Sequence, residues 1–239
     1  MKSQQAKRVM VAGASRGIGL AVAKARAAAG DDVLSVSRTA SPVGHWIEAD
    51  LGTAIGCQKA ADAVGGGRLD ALLYMGGTWE TDAFTEAFAF AQCSDDDLRR
   101  VLAVNLLAPI RLAQRLLPAL RRSPAPRIVF MGALSGLPHR ASPEVANTAS
   151  KFGLQGVAQA LVEATRGQGI GVTVINPGNV ATPEVVTDLA QGQLLGGPAI
   201  EMADLLACVE LVLRVGAATT IERIDVTAML TASSGMPAQ

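Results

Sequence analysis

The chain has 239 residues, of which 49% are hydrophobic, and its 21 basic and 21 acidic side chains give a formal net charge of zero. This length predicts a single domain over residues 1–239, and the balanced charge excludes a global field that would attract nucleic acid or an anionic membrane. No run of eighteen uncharged apolar residues occurs, and the polar start is too short for a signal peptide, so we expect a cytoplasmic protein. The three cysteines lie too far apart for a zinc site or a disulfide framework, so we expect free thiols and no metal.

A glycine-rich loop joins the first predicted strand to the first predicted helix. The apolar residues 9–12 lead into glycines at positions 13, 17 and 19, a helix begins near Gly17, and a second strand follows at 33–37. Glycines let the backbone turn tightly and approach a ligand, while a helix start directs free N–H groups and its positive dipole end at an anion. This context predicts a diphosphate-binding loop. A glycine-rich turn without a ligand is the alternative, because the spacing is GxxxGxG and not the usual GxGxxG.

The rest of the chain continues to alternate between strands and helices. Strands are predicted at 45–49, 69–75, 127–131, 172–176 and 221–226, and helices at 53–64, 94–122, 145–166 and 201–215. Pro109 is expected to kink the helix over 94–122. Such alternation is typical of an α/β protein with a doubly wound parallel sheet.

Four motifs in this order resemble the short-chain dehydrogenase/reductase family over nearly the whole chain. They are the glycine-rich loop 13–19, the pair Asp50-Leu51, Asn105 within its helix, and the segment 176–182. The resemblance implies a three-layer doubly wound Rossmann fold with a seven-stranded parallel sheet, a nicotinamide cofactor, hydride chemistry on a carbonyl or alcohol, and a homodimer or homotetramer. The family's Asn-Asn-Ala-Gly element after the fourth strand is degenerate here, because residues 74–77 read Tyr-Met-Gly-Gly.

The resemblance also implies which residues contact the cofactor. These candidates are Gly13, Ser15, Arg16, Gly17, Ile18, Gly19, Arg38, Asp50, Leu51, Gly76, Lys151, Pro177, Gly178, Val180 and Thr182.

Two arginines favour NADP(H) over NAD(H). Arg38 stands at the end of the second strand, where an acidic residue would bind a ribose 2′-hydroxyl, and Arg16 lies on the glycine-rich loop. A guanidinium suits a 2′-phosphate instead. Two alternatives stay open: both arginines are solvated surface charges, and Asp50 only caps the next turn.

The catalytic residues that the resemblance implies are altered in this chain. The family uses Tyr and Lys at positions i and i+4 of a helix, and here Lys151 is preceded by Asn147, whose amide cannot act as an acid or base. Ala133 stands at the position of the family's Ser, with Ser135 two residues further on. We therefore expect an altered proton relay built from Lys151, Asn105, Asn147 and Ser135.

Other side chains could replace the missing acid, and several roles have plain structural alternatives. Tyr74, the only tyrosine, could line the core or the nicotinamide end, and His139 could transfer protons or lie idle on its loop, while Ser135 and Ser142 have no evident activating base. Lys151 could be a surface lysine and Asn105 a satisfied buried amide. Two functions remain open: an active oxidoreductase, and a cofactor-binding pseudoenzyme with a sensing or partner-binding role.

Three stretches are expected to surround the nicotinamide and a small, apolar substrate: 78–93, 134–144 and 184–200. The first contains four aromatic residues, which fit either an apolar pocket or a helix packed on its own subunit or on a neighbour. The glycine-rich portion 192–197 suggests a mobile lid, and the tail after Val226 is expected to fray.

Overall fold

The computed structural model describes residues 6–191 and 198–229, and it contains one sheet of seven parallel strands. The strands are β1 (Arg8–Ala12), β2 (Asp32–Ser37), β3 (His45–Glu48), β4 (Ala71–Tyr74), β5 (Arg127–Met131), β6 (Gly171–Pro177) and β7 (Arg223–Val226). The helices are α1 (Gly17–Ala28), α2 (Ala54–Asp62), α3 (Asp95–Leu102), α4 (Ala108–Leu120), α5 (Val145–Ala164), α6 (Pro183–Ala190) and α7 (Met202–Arg214).

The strand order is β3-β2-β1-β4-β5-β6-β7, which confirms the doubly wound Rossmann architecture. The chain runs outward from β1 to β3 and then returns to the other side of β1 through β4. In register, Ala12 pairs with Tyr74, and Tyr74 pairs with Phe130. The loops that follow β1, β4 and β5 therefore leave the sheet side by side at its carboxyl edge, where ligands bind in this architecture.

Helices cover both faces of the sheet and form three layers. On one face α4 and α5 lie against the sheet, with α2 packed on α4, and on the other face α1 and α7 pack on the sheet and on each other. Each face has its own cluster of buried apolar side chains. The central strands β4, β5 and β6 are buried along their whole length, because both of their faces are covered, and this explains their nearly continuous apolar sequences.

The helix predicted over 94–122 is interrupted, but not by a simple kink at Pro109. Residues Ala103–Leu107 form a π-helical turn between α3 and α4, in which the N–H of Ala108 donates to the carbonyl of Ala103. Pro109 has no N–H for the residue 105 carbonyl, which favours a rearranged turn before it. The π-turn contains Asn105, and the hydroxyl of Tyr74 donates to the carbonyl of Val104 at 2.5 Å.

Two further segments differ from the sequence-based prediction. Helix α6 lies within a stretch that was expected only as a substrate loop, and Thr182 caps it by accepting from the Val185 N–H. The stretch 81–88 forms turns and not a helix, and a single 3₁₀ turn follows at Phe90–Gln92. The expected lid over 192–197 and the tail from residue 230 lie outside the described residues.

One helical stretch among the described residues, Asp95–Leu120, has the length and apolar composition that a membrane-crossing helix would need. Within this fold it packs against α2 and α5 and opens with three aspartates. It is therefore accounted for as a helix of the layer that covers the sheet.

Candidate cofactor and substrate site

The glycine-rich loop after β1 packs directly on the loop after β4. Gly13 adopts a φ of +88°, and a Cβ atom there would lie 2.6 Å from the Cα of Gly76. A Cβ atom on Gly19 would lie 2.0 Å from the carbonyl oxygen of Gly13. Only glycine fits these positions, because backbone meets backbone without room for a side chain. The result is a concave backbone surface, which we call the glycine cradle and define by Gly13, Gly17, Gly19 and Gly76.

In the described part of the chain no side chain caps the start of α1, so its first N–H groups are available to an anion. Arg16, which precedes the helix, makes no side-chain capping hydrogen bond, and the first turn carries no acidic residue. Helices α2, α3 and α6 differ, because the side chains of Thr53, Ser94 and Thr182 cap them. Free N–H groups at a helix start beside close-packed glycines fit the diphosphate of a dinucleotide.

The segment 176–182 reaches the same cradle. The methyl group of Thr182 lies 3.7 Å from where a Cβ atom of Gly17 would stand. The Gly178 N–H donates to the Val226 carbonyl, and the side chain of Val180 is buried in the core beside α7. Of the cofactor candidates in this segment, Thr182 is thus the one whose side chain meets the cradle.

The residues proposed to select the cofactor lie at the rim. Arg16 and Arg38 are exposed, and neither guanidinium group has a hydrogen-bond or ion-pair partner within residues 6–191 and 198–229. Arg38 lines an open depression together with Asp50 and Lys59. Asp50 accepts the Gly52 N–H at 2.9 Å, so its capping role is real. Leu51 is buried in the core, which leaves only its backbone for a ligand.

A buried amide network occupies the position expected for the proton relay. Asn105 Oδ1 accepts the Thr78 N–H at 2.9 Å, and Asn105 Nδ2 donates to the Thr78 carbonyl at 2.7 Å. The same Nδ2 lies 3.2 Å from Ser150 Oγ and 3.3 Å from Asn147 Oδ1. Asn105 is therefore a satisfied buried amide that joins the loop after β4 to α5.

Lys151 faces inward, which excludes the surface alternative. It is only 7% exposed, and its Nζ donates to the Met131 carbonyl at 3.0 Å. Burial lowers the pKa of the Lys151 ammonium to about 8, since desolvation disfavours its charge. No carboxylate pairs with it in the described part of the chain.

The 3₁₀ turn Leu134–Gly136 packs closely on α5, because a Cβ atom on Gly136 would lie 2.7 Å from the Lys151 carbonyl. Ser135 belongs to this turn but makes no side-chain hydrogen bond to the amide network. Ser142 bonds to Thr148 instead, with 3.1 Å between the two hydroxyl oxygens. Neither serine is connected to an activating base among the described residues.

The other titratable candidates stand apart from the network. Tyr74 is buried, which raises the pKa of its phenol, and its hydroxyl donates to the Val104 carbonyl. The core alternative for Tyr74 is therefore confirmed. His139 is exposed, with a φ of +61°, and no hydrogen bond links it to Asn105, Asn147 or Lys151.

Two buried glutamates beside the amide network were not found from the sequence. Glu80 and Glu144 are 1% and 2% exposed. Glu80 Oε1 accepts the N–H groups of Ala146 at 2.7 Å and Asn147 at 3.2 Å, and Glu144 Oε1 accepts the Phe84 N–H at 2.9 Å. Each has a second oxygen, Oε2, that is buried without a partner among the described residues. Through these hydrogen bonds the two carboxylates hold the loop after β4 against the start of α5.

The aromatic side chains of Trp79 and Phe84, which we call the aromatic wall, lie in a stretch of turns and not in a helix. The Trp79 and Phe84 rings meet edge to face with 5.7 Å between centroids, and Trp79 is 50% exposed. Phe84 has a φ of +65°, so helical spacing does not apply. Arg100 fixes the segment by donating to the Trp79 carbonyl at 3.0 Å. The wall adjoins Thr78, which bonds to Asn105.

A doubly wound sheet with a close-packed glycine loop at its carboxyl edge is typical of nucleotide-binding proteins. Residues 7–192 match the family model described as short chain dehydrogenase, and the chain belongs to that family. It is 32% identical to the short chain dehydrogenase ausX of Penicillium brasilianum over 183 residues, which cover 72% of this chain and 68% of the relative.

Solved structures agree with this assignment. The RhlG/NADP active-site complex of Pseudomonas aeruginosa is 25% identical with a TM-score of 0.75, covering 93% of this chain and 96% of its own. A short chain dehydrogenase of Escherichia coli CFT073 complexed with NADPH is 25% identical with a TM-score of 0.76, covering 94% of this chain and 99% of its own. The protein thus has the fold of oxidoreductases that bind a nicotinamide cofactor and act on small molecules.

Proposed function

We propose that this protein is an NADP(H)-dependent oxidoreductase acting on an apolar carbonyl or alcohol substrate, with a proton relay in which Asn147 stands at the position of the family's Tyr. One observation carries the proposal. Gly76 belongs to the glycine cradle, and a Cβ atom on the next residue, Gly77, would lie only 3.8 Å from Lys151 Nζ. A dinucleotide bound in the cradle would therefore bring its nicotinamide ribose toward Lys151.

Each group of this chain has a defined part in the proposal. When bound, the cofactor supplies or accepts the hydride. The α1 N–H groups hold its diphosphate, and Lys151 donates to ribose hydroxyls in place of the Met131 carbonyl. Asn105 holds Thr78 and Asn147 in place, and Asn147 donates its amide N–H to the substrate oxygen. The stretches 78–93 and 134–144, together with helix α6, border the substrate within one domain.

The preference for NADP(H) rests on Arg16 and Arg38, whose exposed guanidinium groups have no internal partner in the described residues. The NADP and NADPH complexes of similar proteins support it. Fluorescence titration tests it: NADPH should bind more tightly than NADH. Arg38→Ala should remove most of that difference, whereas Arg166→Ala, at the far end of α5, should keep it. Tighter binding of NADH would refute the preference.

The second candidate is a pseudoenzyme that binds NADP(H) without turnover. Asn147 favours it, because an amide transfers no proton and the sole tyrosine is used by Val104. Turnover of NADPH across ketones, aldehydes and quinones separates the two candidates. Activity that Lys151→Ala abolishes would refute the pseudoenzyme, whereas binding without turnover across the panel would support it.

A homodimer or homotetramer is also proposed. Large apolar side chains remain exposed on and beside α4 and α5, among them Leu107, Ile110 and Phe152. Burying such side chains against a second copy would remove apolar surface from water. Light scattering of the purified protein would give the mass of the assembly, and a monomeric mass would refute the proposal. A cytoplasmic location is part of the same proposal.

A further inference from the structure

The hydrogen bonds of Asn105 determine which atom Asn147 presents to a substrate. Asn105 Oδ1 must be the atom that receives the Thr78 N–H, so Asn105 Nδ2 is the atom that faces Asn147. Asn147 must then turn its Oδ1 toward Asn105, because two NH₂ groups cannot pair. Its own Nδ2 points away, and no acceptor within residues 6–191 and 198–229 binds it. The site offers a fixed hydrogen-bond donor that cannot release a proton.

The hydrogen-bond donors at Asn147 and Lys151 favour an oxygen acceptor over a cation. The Lys151 ammonium lies on the same face of α5, one turn further along, and no carboxylate neutralises it in the described part of the chain. Two buried carboxylates stand at the start of α5: Glu80 accepts the backbone N–H groups of Ala146 and Asn147, and Glu144 accepts that of Phe84. A cationic acceptor such as an iminium ion would meet the ammonium and an amide donor, and both would repel it.

A site that offers hydrogen-bond donors but no proton donor suits α,β-unsaturated carbonyl compounds better than simple ketones as hydride acceptors. Hydride addition to the carbonyl carbon of a simple ketone concentrates charge on an alkoxide, which needs a proton as it forms. Hydride addition to the β-carbon of an α,β-unsaturated carbonyl spreads the charge over an enolate instead. Hydrogen bonds alone can stabilise an enolate, because its oxygen is far less basic than an alkoxide.

We propose that the substrates are α,β-unsaturated ketones and aldehydes, and that Asn147 Nδ2 binds their carbonyl oxygen during conjugate reduction. This inference rests on the oxidoreductase function proposed above. The hydride of NADPH forms a C–H bond at the β-carbon, and the C=C π electrons move to give an enolate. Water then protonates the α-carbon, so the net change is one C=C bond reduced and one NADPH oxidised. The carbonyl group is retained in the product of an enone.

The aromatic wall fits such substrates. Trp79 follows Thr78, the residue whose backbone Asn105 holds, and its ring is half exposed while Phe84 supports it edge to face. A flat conjugated ring can stack on an exposed indole at little cost in conformational entropy. Trp79 and Phe84 belong to the loop after β4, and Asn105 joins that loop to the Asn147 amide.

Product analysis with 2-cyclohexen-1-one and cyclohexanone tests the proposal. With NADPH deuterated at nicotinamide C4, the enone should yield cyclohexanone carrying deuterium at its β-carbon, and cyclohexanone itself should be consumed at least about tenfold more slowly. Reduction of the enone to cyclohexenol, or faster turnover of cyclohexanone, would overturn this inference but leave the oxidoreductase function standing. Turnover of neither compound, with NADPH still bound, would overturn this inference, and the wider panel of ketones, aldehydes and quinones would then decide the oxidoreductase function.

Two variants and a binding measurement test the role of Asn147. Asn147→Asp has the same shape but replaces the donor by an acceptor, so conjugate reduction should fall by about a hundredfold while the NADPH dissociation constant stays within about twofold. Asn147→Tyr should shift the products toward cyclohexenol, because a phenol can protonate an alkoxide. Equal conjugate reduction by wild type and Asn147→Asp would refute the role.

The binding measurement requires no turnover. The probe 4-nitrophenol, as an analogue of an enolate oxygen, should bind to the protein with NADP⁺ as its anion, and its absorbance should shift to that of the phenolate below its solution pKa. The shift should vanish in Asn147→Asp and persist in Glu86→Gln, a change on the exposed part of the same loop. A wild-type spectrum without the shift would count against the proposed oxyanion contact.

Discussion

The glycine cradle and the amide network are neighbours at the edge of one sheet, but different parts of the chain build them. The cradle is made by backbone packed on backbone, with Gly13 against Gly76 and Gly19 against Gly13. The network is made by side chains, Asn105, Asn147 and Lys151, whose hydrogen bonds can be redrawn by one substitution. A backbone surface tolerates little change, whereas a side-chain constellation can acquire new chemistry on the same scaffold. We therefore expect the backbone cradle to determine cofactor binding and the side-chain network to determine the reaction.

The largest effect is expected from closing the cradle. Gly19→Ala places a methyl group 2.0 Å from the Gly13 carbonyl oxygen, a separation that no small shift can relieve. NADPH affinity should fall by more than about a hundredfold, measured by calorimetry, with a lower melting temperature. Gly156→Ala is the control, because nothing lies within 4 Å of a Cβ atom there, and alanine is favoured in a helix. Tight NADPH binding by Gly19→Ala would show that the cofactor does not use the cradle.

The next effect concerns the boundary between the two regions, where Lys151 stands. Removing its charged donor in Lys151→Met should weaken NADPH binding by about tenfold or more. Because burial sets the pKa of Lys151 near 8, the ammonium is present below that pH and lost above it. Wild-type affinity should therefore decline as pH rises from 7 to 9.5, and affinity of the variant should not follow that decline. Identical pH profiles for the two proteins would contradict a contact with the cofactor.

A smaller effect should be confined to the amide network. Glu80→Gln keeps an oxygen acceptor for the Ala146 and Asn147 N–H groups but removes the charge that strengthens those bonds. Reductase turnover should fall by about fivefold through kcat, with NADPH affinity unchanged, because Glu80 positions Asn147 without touching the cofactor. The exposed Glu86→Gln serves as the matched control. A loss of NADPH affinity equal to the loss of turnover would contradict this positioning role.

The sequence predicts the cradle well and the amide network only in part. Glycine spacing, apolar strands and the inward-facing Lys151 follow local rules, so the sheet and the loop after β1 could be read directly. Pro109 predicts an interruption of the helix but not the π-turn at 103–107, which also coincides with a tertiary hydrogen bond from Tyr74. The burial of Glu80 depends on contacts with α5, far along the chain, and nothing in its own loop indicates it. One feature of the sequence indicates a role for Glu144, because a carboxylate stands there directly before a predicted helix start.

The burial of Tyr74 gives the protein a built-in optical reporter. The chain has one tyrosine, and burial raises the pKa of its phenol, so in the folded protein this phenol stays un-ionised at a pH slightly above the ordinary value of about 10. Unfolding exposes the phenol to water, where it loses its proton at the ordinary pKa. Phenolate absorbance in alkaline buffer therefore counts unfolded molecules, with one chromophore per chain and no added label.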